Sequence, residues 1–401
     1  MNSWSNWAGN VVATPATIAA PDSLDALRRA VAAAAEAGQR VRVAGSGHSF
    51  MPICATDGML IDLERLAGVE SVDPETGEAT IWAGTKIHAI GEPLFRAGQA
   101  LANQGDIDRQ ALAGAVSTGT HGTGRGFGSF ASMVRSMDIV SPTGDLVTID
   151  TGNEDDLRAA SLSVGMLGVV SRLRIATIPA FKLHERSTPM EFDACQEVYP
   201  EVESANRHAE FWWIPPLDMC VLKTLTLSDE EPRGGGPDPE FPPGTIERYI
   251  KPEKIDWSYI VYPTARNQRF VECEYTLPLA DGPAAMRAIR EMMRSDFPNV
   301  TWAVEYRTVP GETAMLSPTL GQECATISVH HPVDEAWEPF MRASDALFRS
   351  LGGRSHWGKM HWLGREEVDA LYPEAEAFRA IRRRYDPDGV FLNDHLEPLF
   401  S

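Results

Sequence analysis

The stretch Val43-Ala44-Gly45-Ser46-Gly47-His48-Ser49-Phe50 decides how the rest of this chain is read. Val41–Ala44 reads as a short strand that runs straight into a glycine turn. Glycines let backbone N–H groups approach a ligand without a Cβ in the way, and successive N–H groups in such turns form anion-holding concavities. A second run, Gly114-Ala115-Val116-Ser117-Thr118-Gly119-Thr120-His121-Gly122-Thr123-Gly124, adds hydroxyl donors. Two such loops near each other suit a pyrophosphate; taken alone, each is equally well a tight turn. Neither matches GxGxxG opening a helix after a strand, nor GxxxxGK followed by Ser or Thr. A nicotinamide Rossmann site and a P-loop are therefore unsupported.

Outward from these loops, the first third alternates helix and strand. Asp22 or Ser23 caps an alanine-rich helix that runs to Ala37 and stops at Gly38. Met59–Leu63 reads as a strand, Lys86–Ala97 as a helix, and Ala79–Ala83 as one arm of a hairpin. Met137–Val140 and Leu146–Ile149 form a second hairpin, and Ser171–Ile178 a strand with one wet face. The style changes near Pro179. Strands are expected at 209–214, 219–226, 270–277, 301–309 and 324–330, with helices around 282–296 and 333–351. Runs of strands followed by helices point to an α+β fold with an antiparallel sheet. Asp229–Pro243, rich in Pro, Gly and acid, reads as a loop. The last forty or so residues return to the style of the first third.

The 401 residues carry 36 Lys+Arg against 56 Asp+Glu, a net charge of −20. This acidic excess argues against nucleic acid and anionic membranes as partners. The five cysteines are widely spaced with no CxxC pair, so no metal site is expected and the thiols read as reduced, in a cytoplasmic protein. Residues 1–7 show neither a basic region nor an apolar run, so no signal peptide is expected.

Gly-Ser-Gly-His-Ser-Phe at 45–50 resembles the flavin-attachment loop of the vanillyl-alcohol-oxidase-like flavoproteins. Four further blocks resemble the aldonolactone oxidase and alditol oxidase family in particular. They are Asn6-Trp7-Ala8-Gly9-Asn10, the run Ser117–Gly124, His356-Trp357-Gly358-Lys359, and Asp386-Pro387-Asp388-Gly389-Val390-Phe391-Leu392-Asn393. The resemblance implies a PCMH-type FAD-binding domain of two subdomains, residues 1–178 completed by about 355–401, and a substrate-binding cap domain at 179–354. It implies FAD bonded covalently to His48, with Ala44, Gly45, Ser46, Gly47 and Ser49 around it. The second run contributes Gly114, Ser117, Thr118, Gly119, His121, Gly122 and Gly124. Gly165, Gly168, Val170 and Asn393 complete the cofactor set. Cys54 is the one cysteine of the first 180 residues and falls outside the attachment loop, so a single covalent link is expected.

Glu305 and Arg307 alternate with Tyr306 on an expected strand, so they share a face. By themselves they are a surface ion pair or a hydroxyl-binding pair. The resemblance makes them substrate-contacting catalytic residues together with Lys359, whose charge would stabilise a reduced flavin. Asp106 stands where the alditol oxidases carry a serine that touches the polyol, which puts a simple alditol in doubt. His330, His331 and His356 are weaker candidates for the pocket wall. The implied activity is oxidation of a hydroxyl-bearing carbon of a small polyol, sugar or aldonolactone. Hydride passes to the flavin and dioxygen becomes hydrogen peroxide. A dehydrogenase with another acceptor, and a non-enzymatic flavin- or sugar-binding protein, are the alternatives.

Overall fold

The computed structural model describes residues 2–238, 240–264 and 268–401. Its first third is built as the sequence pattern requires. Ser23 caps the helix Leu24–Glu36 through its hydroxyl, which accepts from the Ala26 N–H at 3.3 Å. This helix presents Leu27, Val31 and Ala34 to the core. It connects the outer strand Thr17–Ala19 of a small parallel sheet to the strand Val41–Ala44, and both flank Met59–Asp62. A five-stranded antiparallel sheet follows, in the order Leu146–Asp150, Val134–Val140, Val169–Ala176, Glu78–Trp82 and Val69–Asp73. Both expected hairpins lie in it.

Beyond Pro179 the described residues form one nine-stranded antiparallel sheet. Its central strands run in the order Lys182–Glu191, Met219–Ser228, His208–Ile214, Val304–Val309, Cys324–Pro332 and Phe270–Pro278. One face carries Phe211, Trp213, Leu222, Cys273, Tyr275, Tyr306 and Ile327, packed on the helices Phe192–Ala205, Gly282–Asp296 and Glu338–Ser350. Side chains alternate across a strand, so the opposite face takes Glu210, Lys223, Glu272, Glu274, Glu305, Arg307, Ser328 and His330. That polar face is covered by the rest of the chain rather than by water, and all eight side chains are buried.

The C-terminal segment comes home to the first third. Trp357, Leu363, Phe378, Phe391, Leu396 and Phe400 share a core with Leu27, Ile61, Leu112 and Ile175. A backbone hydrogen bond from Val41 N to Val390 O, 2.7 Å long, joins the two ends directly.

Several local readings change. Leu112–Thr118, which takes in the start of the second glycine run, is a helix closed by Gly119 at φ 74°. Leu112, Ala115 and Val116 supply its buried face, which overrides the turn signal of the glycines. Lys86–Ala97 is split into a short 3-10 turn at Ile87–Ala89 and a helix at Gly91–Arg96. The helix expected from 333 starts at Glu338, where Pro339 sits in the first turn. The strand expected from 301 starts at Val304. The strand Lys182–Glu191 and the helix Phe192–Ala205 have no counterpart in the sequence reading. Within the expected loop 229–243, Arg233–Gly234 pairs with the strand Lys254–Trp257, and Pro239 lies outside the described residues. All five cysteines are unpaired. No described helix is long and apolar enough to cross a membrane.

Candidate active site

The loop 45–50 is fastened from three sides. Trp7 N donates to Gly47 O at 2.8 Å, and the amides of Asn6 and Asn10 donate to Ser49 O and Phe50 O at 2.9 and 2.8 Å. Phe50 N donates to Gly358 O at 2.8 Å. The blocks around residues 6–10 and 356–359, far apart in sequence, are thus clamps on the histidine loop. Gly47 has φ 67° and sits so close to Asn6 and Trp7 that a Cβ would come within 3.1 Å of the Trp7 nitrogen.

This loop forms one wall of a cleft. Ala44, Gly45, Ser46, Gly47, His48 and Ser49 face Gly114, Ser117 and Thr118 across it, and Gly165, Gly168 and Val170 close one end. A Cβ added at Gly114 would meet nothing within 4 Å, because that position opens on the cleft. A long cradle lined by glycines and small hydroxyl residues fits an extended dinucleotide such as FAD. Three cleft residues escaped the sequence reading. Arg42 is buried and donates to the carbonyls of Ile53, Val164, Gly165 and Phe391. Lys86 donates to Ser46 Oγ at 2.9 Å. Gln110 lines both this cleft and the pocket next to it. Burial, with Lys359 and Lys86 nearby, pushes the His48 imidazole down to about 4, so it is neutral at neutral pH.

Five residues expected at the cofactor stand elsewhere. Gly119 ends a helix, and Gly124 donates its N–H to Thr308 O at 2.7 Å, against the large sheet. Gly122 lines a separate cavity beside Asp106. His121 turns to the large sheet, where its Nε2 lies 2.8 Å from Glu274 Oε1. Asn393 braces the loop after His48, its amide donating to Pro52 O and Ala55 O at 2.8 Å.

The adjoining pocket is floored by the polar face of the large sheet. It brings together Glu305, Arg307, Lys359, Asp106, His330 and His356. His331, by contrast, lines an outer basin. Lys359 rides on a loop stitched along the strand Phe270–Pro278: His356 N donates to Glu274 O at 3.1 Å and Met360 N to Glu272 O at 2.7 Å. Its ammonium pairs with Glu272, which also lies 3.5 Å from His330 Nε2. Arg307 pairs with Glu274 and stands 3.4 Å from Glu305. Ser328 Oγ donates to Glu274 at 2.5 Å. Deeper in the sheet, Lys223 lies 3.0 Å from Glu210 and 3.5 Å from Asp106.

Glu272 and Glu274 are the main residues the sequence reading missed. Their signal was the alternation Phe270-Val271-Glu272-Cys273-Glu274-Tyr275, the mark of a strand with one polar face.

Acid outnumbers base here, and that sets the charges. Burial raises a carboxyl, but Arg307, His121 and Lys359 more than offset it at Glu274, which is held well below the usual range. Glu272 is likewise held low against burial, by Lys359 and His330. Glu305 goes the other way. Burial lifts it well above the usual range, Arg307 pulls against this, and Glu210, Asp106 and Glu272 add to it. Burial also drives His356 down to about 3, leaving it neutral. The carboxylates Glu272 and Glu305 with His330, and Asp106, Glu210 and Glu305, converge closely enough to face a cation. The cations they face are Lys359, Arg307 and Lys223.

Residues 173–247 and 243–399 match the sequence model of the D-arabinono-1,4-lactone oxidase family, and residues 15–150 match that of an FAD binding domain. An L-gulono-1,4-lactone dehydrogenase of Mycobacterium tuberculosis is 33% identical over 98% of this chain and 97% of its own. An L-gulonolactone oxidase of Bos taurus is 26% identical over 99% of this chain and 98% of its own. Among solved structures, cholesterol oxidase from B. sterolicum superposes with a TM-score of 0.85 at 17% identity, covering 100% of this chain and 96% of that one. Xylooligosaccharide oxidase from Myceliophthora thermophila gives 0.76 at 17% identity, over 98% and 93%. These two establish the fold, an architecture of α+β type. With a family model across most of its C-terminal half and a full-length relative at 33% identity, the chain belongs to the D-arabinono-1,4-lactone oxidase family, and the stretch ahead of that match fits an FAD binding domain.

Proposed function

We propose that this protein is an FAD-dependent oxidase that oxidises a hydroxyl-bearing carbon of a neutral aldonolactone, polyol or sugar. The observation that carries the reading is the convergence of Glu305, Arg307 and Lys359 in one pocket that meets the cofactor cleft at Gln110. We propose also that the two ends of the chain form the cofactor domain and residues 179–354 the cap. The shared core of 357–400 with the first third supports this.

FAD, when bound, supplies the acceptor for the hydride that leaves the carbinol carbon. The protein's residues do the rest. Arg307 and Lys359, each already held by a carboxylate, present fixed N–H donors to the substrate oxygens. Glu305 is the base that takes the hydroxyl proton as the carbonyl forms; its raised affinity for a proton suits that task. Arg307 does not exchange a proton, because guanidinium stays charged throughout. His48 would hold the flavin as its covalent tether, its imidazole kept neutral by burial beside Lys359 and Lys86. Dioxygen is the proposed terminal acceptor and leaves as hydrogen peroxide.

A screen of aldono-1,4-lactones, alditols and free sugars, with coupled peroxide detection and an oxygen electrode, tests the function. Product with equimolar peroxide is expected. Product without oxygen uptake would instead make the protein a dehydrogenase, as the mycobacterial relative is named.

A further inference from the structure

Lys223 belongs to the polar face of the large sheet but stands outside the catalytic pocket. It lines a small cavity behind that pocket, and Asp106 and Arg307 border both. Strand register puts it there. Lys223 lies opposite Glu210 and Glu210 opposite Arg307, so charge alternates across three neighbouring strands. Glu305, two residues before Arg307, looks out on the same face.

The Lys223 ammonium gathers three carboxylates. Glu210 lies at 3.0 Å, Asp106 at 3.5 Å and Glu185, from the strand Lys182–Glu191, at 3.8 Å. Lys223, Glu185 and Glu210 are all buried. Burial works against the ammonium charge, but Asp106, Glu210 and Glu185 more than restore it, so Lys223 stays protonated. Lys251, close enough to feel Lys223, is itself paired with Asp238.

Two of those carboxylates crowd the proposed base. Oxygens of Asp106, Glu210 and Glu305 lie within 4.8 Å of one another. The other charged groups that face Glu305 have partners of their own. Arg307 stands 3.4 Å from it and is paired with Glu274, while Glu272 is paired with Lys359 and lies 3.5 Å from His330. Asp106 and Glu210 are answered by Lys223.

We propose that Lys223 is a positioning residue for the proton transfer: it fixes and offsets Asp106 and Glu210 behind Glu305, so that Glu305 is free to take the substrate proton. This rests on the proposed function, with Glu305 as base. Without that ammonium, three carboxylates lie together with Arg307 beside them, and like charges so close keep a proton among them to higher pH.

The test is the pH profile of kcat/KM on the holoenzyme, with D-arabinono-1,4-lactone or L-gulono-1,4-lactone, whichever reduces the flavin faster. Lys223→Met is expected to move the acid limb up by about one pH unit, which is about tenfold less kcat/KM on the acid side with the high-pH plateau kept. Lys223→Arg is expected to keep the wild-type limb. Lys223→Met combined with Glu210→Gln removes an ammonium and a carboxylate together and is expected to bring the limb back. If Lys223→Met alone leaves too much buried charge to fold, the double variant is compared with Glu210→Gln, and its limb is expected to lie about one unit the higher. A limb that loss of Lys223 leaves in place, or an equal loss of kcat/KM at every pH, overturns the positioning role and leaves the proposed function standing. A wild type with no acid limb removes Glu305 as base, and this inference with it.

Discussion

Arg307 reaches across the strand Cys324–Pro332 to pair with Glu274 on the strand beyond it. The register places Arg307 opposite Thr326 and Glu274 opposite Ser328, so the ion pair is a diagonal over the middle strand. Both partners are buried, and Ser328 and His121 occupy the remaining carboxylate positions. Glu274 thereby holds the guanidinium still, its other side open to the pocket. Glu274→Gln keeps the shape and removes the charge. Turnover is expected to fall by a factor of roughly 100, since a fully desolvated partner of a buried cation is lost. Retained FAD absorbance separates this from misfolding.

Glu305 sits well above the usual carboxylate range, so its basic form grows as pH rises. If it takes the substrate proton, kcat/KM climbs through an acid limb displaced upward from ordinary carboxylates, and Glu305→Gln abolishes that limb. Stopped-flow flavin reduction across pH reads it. A flat profile in the wild type assigns the proton to another group.

His48→Ala is expected to leave a folded protein whose yellow colour passes wholly into the supernatant after acid precipitation. In the wild type, flavin mass is expected on the peptide containing His48. Wild-type flavin that stays soluble sinks the tether.

Gly114 lies within a helix and faces open cleft. Gly114→Ala is expected to raise the thermal stability of the cofactor-free protein by roughly 0.5–1 kcal/mol, the ordinary gain for such a helical glycine. Gly114→Leu fills the cleft, so it is expected to fold while binding far less FAD. Thermal melts and flavin-to-protein absorbance ratios check both.

Acid should destabilise the fold earlier than its carboxylates demand. Burial holds His48 and His395 at about 4, and His208, His356 and His361 at about 3, against 6.5 in an unstructured chain. Between those values the unfolded chain binds more protons than the native one. Stability is therefore full above 6.5 and is lost as pH falls towards 4, at roughly 1.4 kcal/mol per pH unit for each histidine. Melting temperatures should hold nearly level from pH 7.5 to about 6.5 and then fall continuously to pH 4.5.

The histidine loop, the Glu305 and Arg307 pair and Lys359 were legible because each lies in a short block that resembles a known family, although the contacts that hold them come from far along the chain. Glu272, Glu274, Glu210 and Lys223 were not, since an acid on a strand ordinarily faces water. Here five strands drawn from residues 208–332 lie side by side, and the rest of the chain closes over their polar face. Local breakers misled as well. Pro189 sits within the strand Lys182–Glu191 and Pro200 within the helix Phe192–Ala205, both tolerated because tertiary packing outweighs propensity.

The clamp between Phe50 and Gly358, with Asn393 bracing the turn behind it, has a consequence for timing. The loop that would receive the flavin is shaped by residues made at the other end of synthesis. A ribosome must deliver nearly the whole chain before that loop can settle, so cofactor capture comes late, as a seal on a finished molecule. Yellow colour in a growing culture would then count completed proteins, not nascent ones.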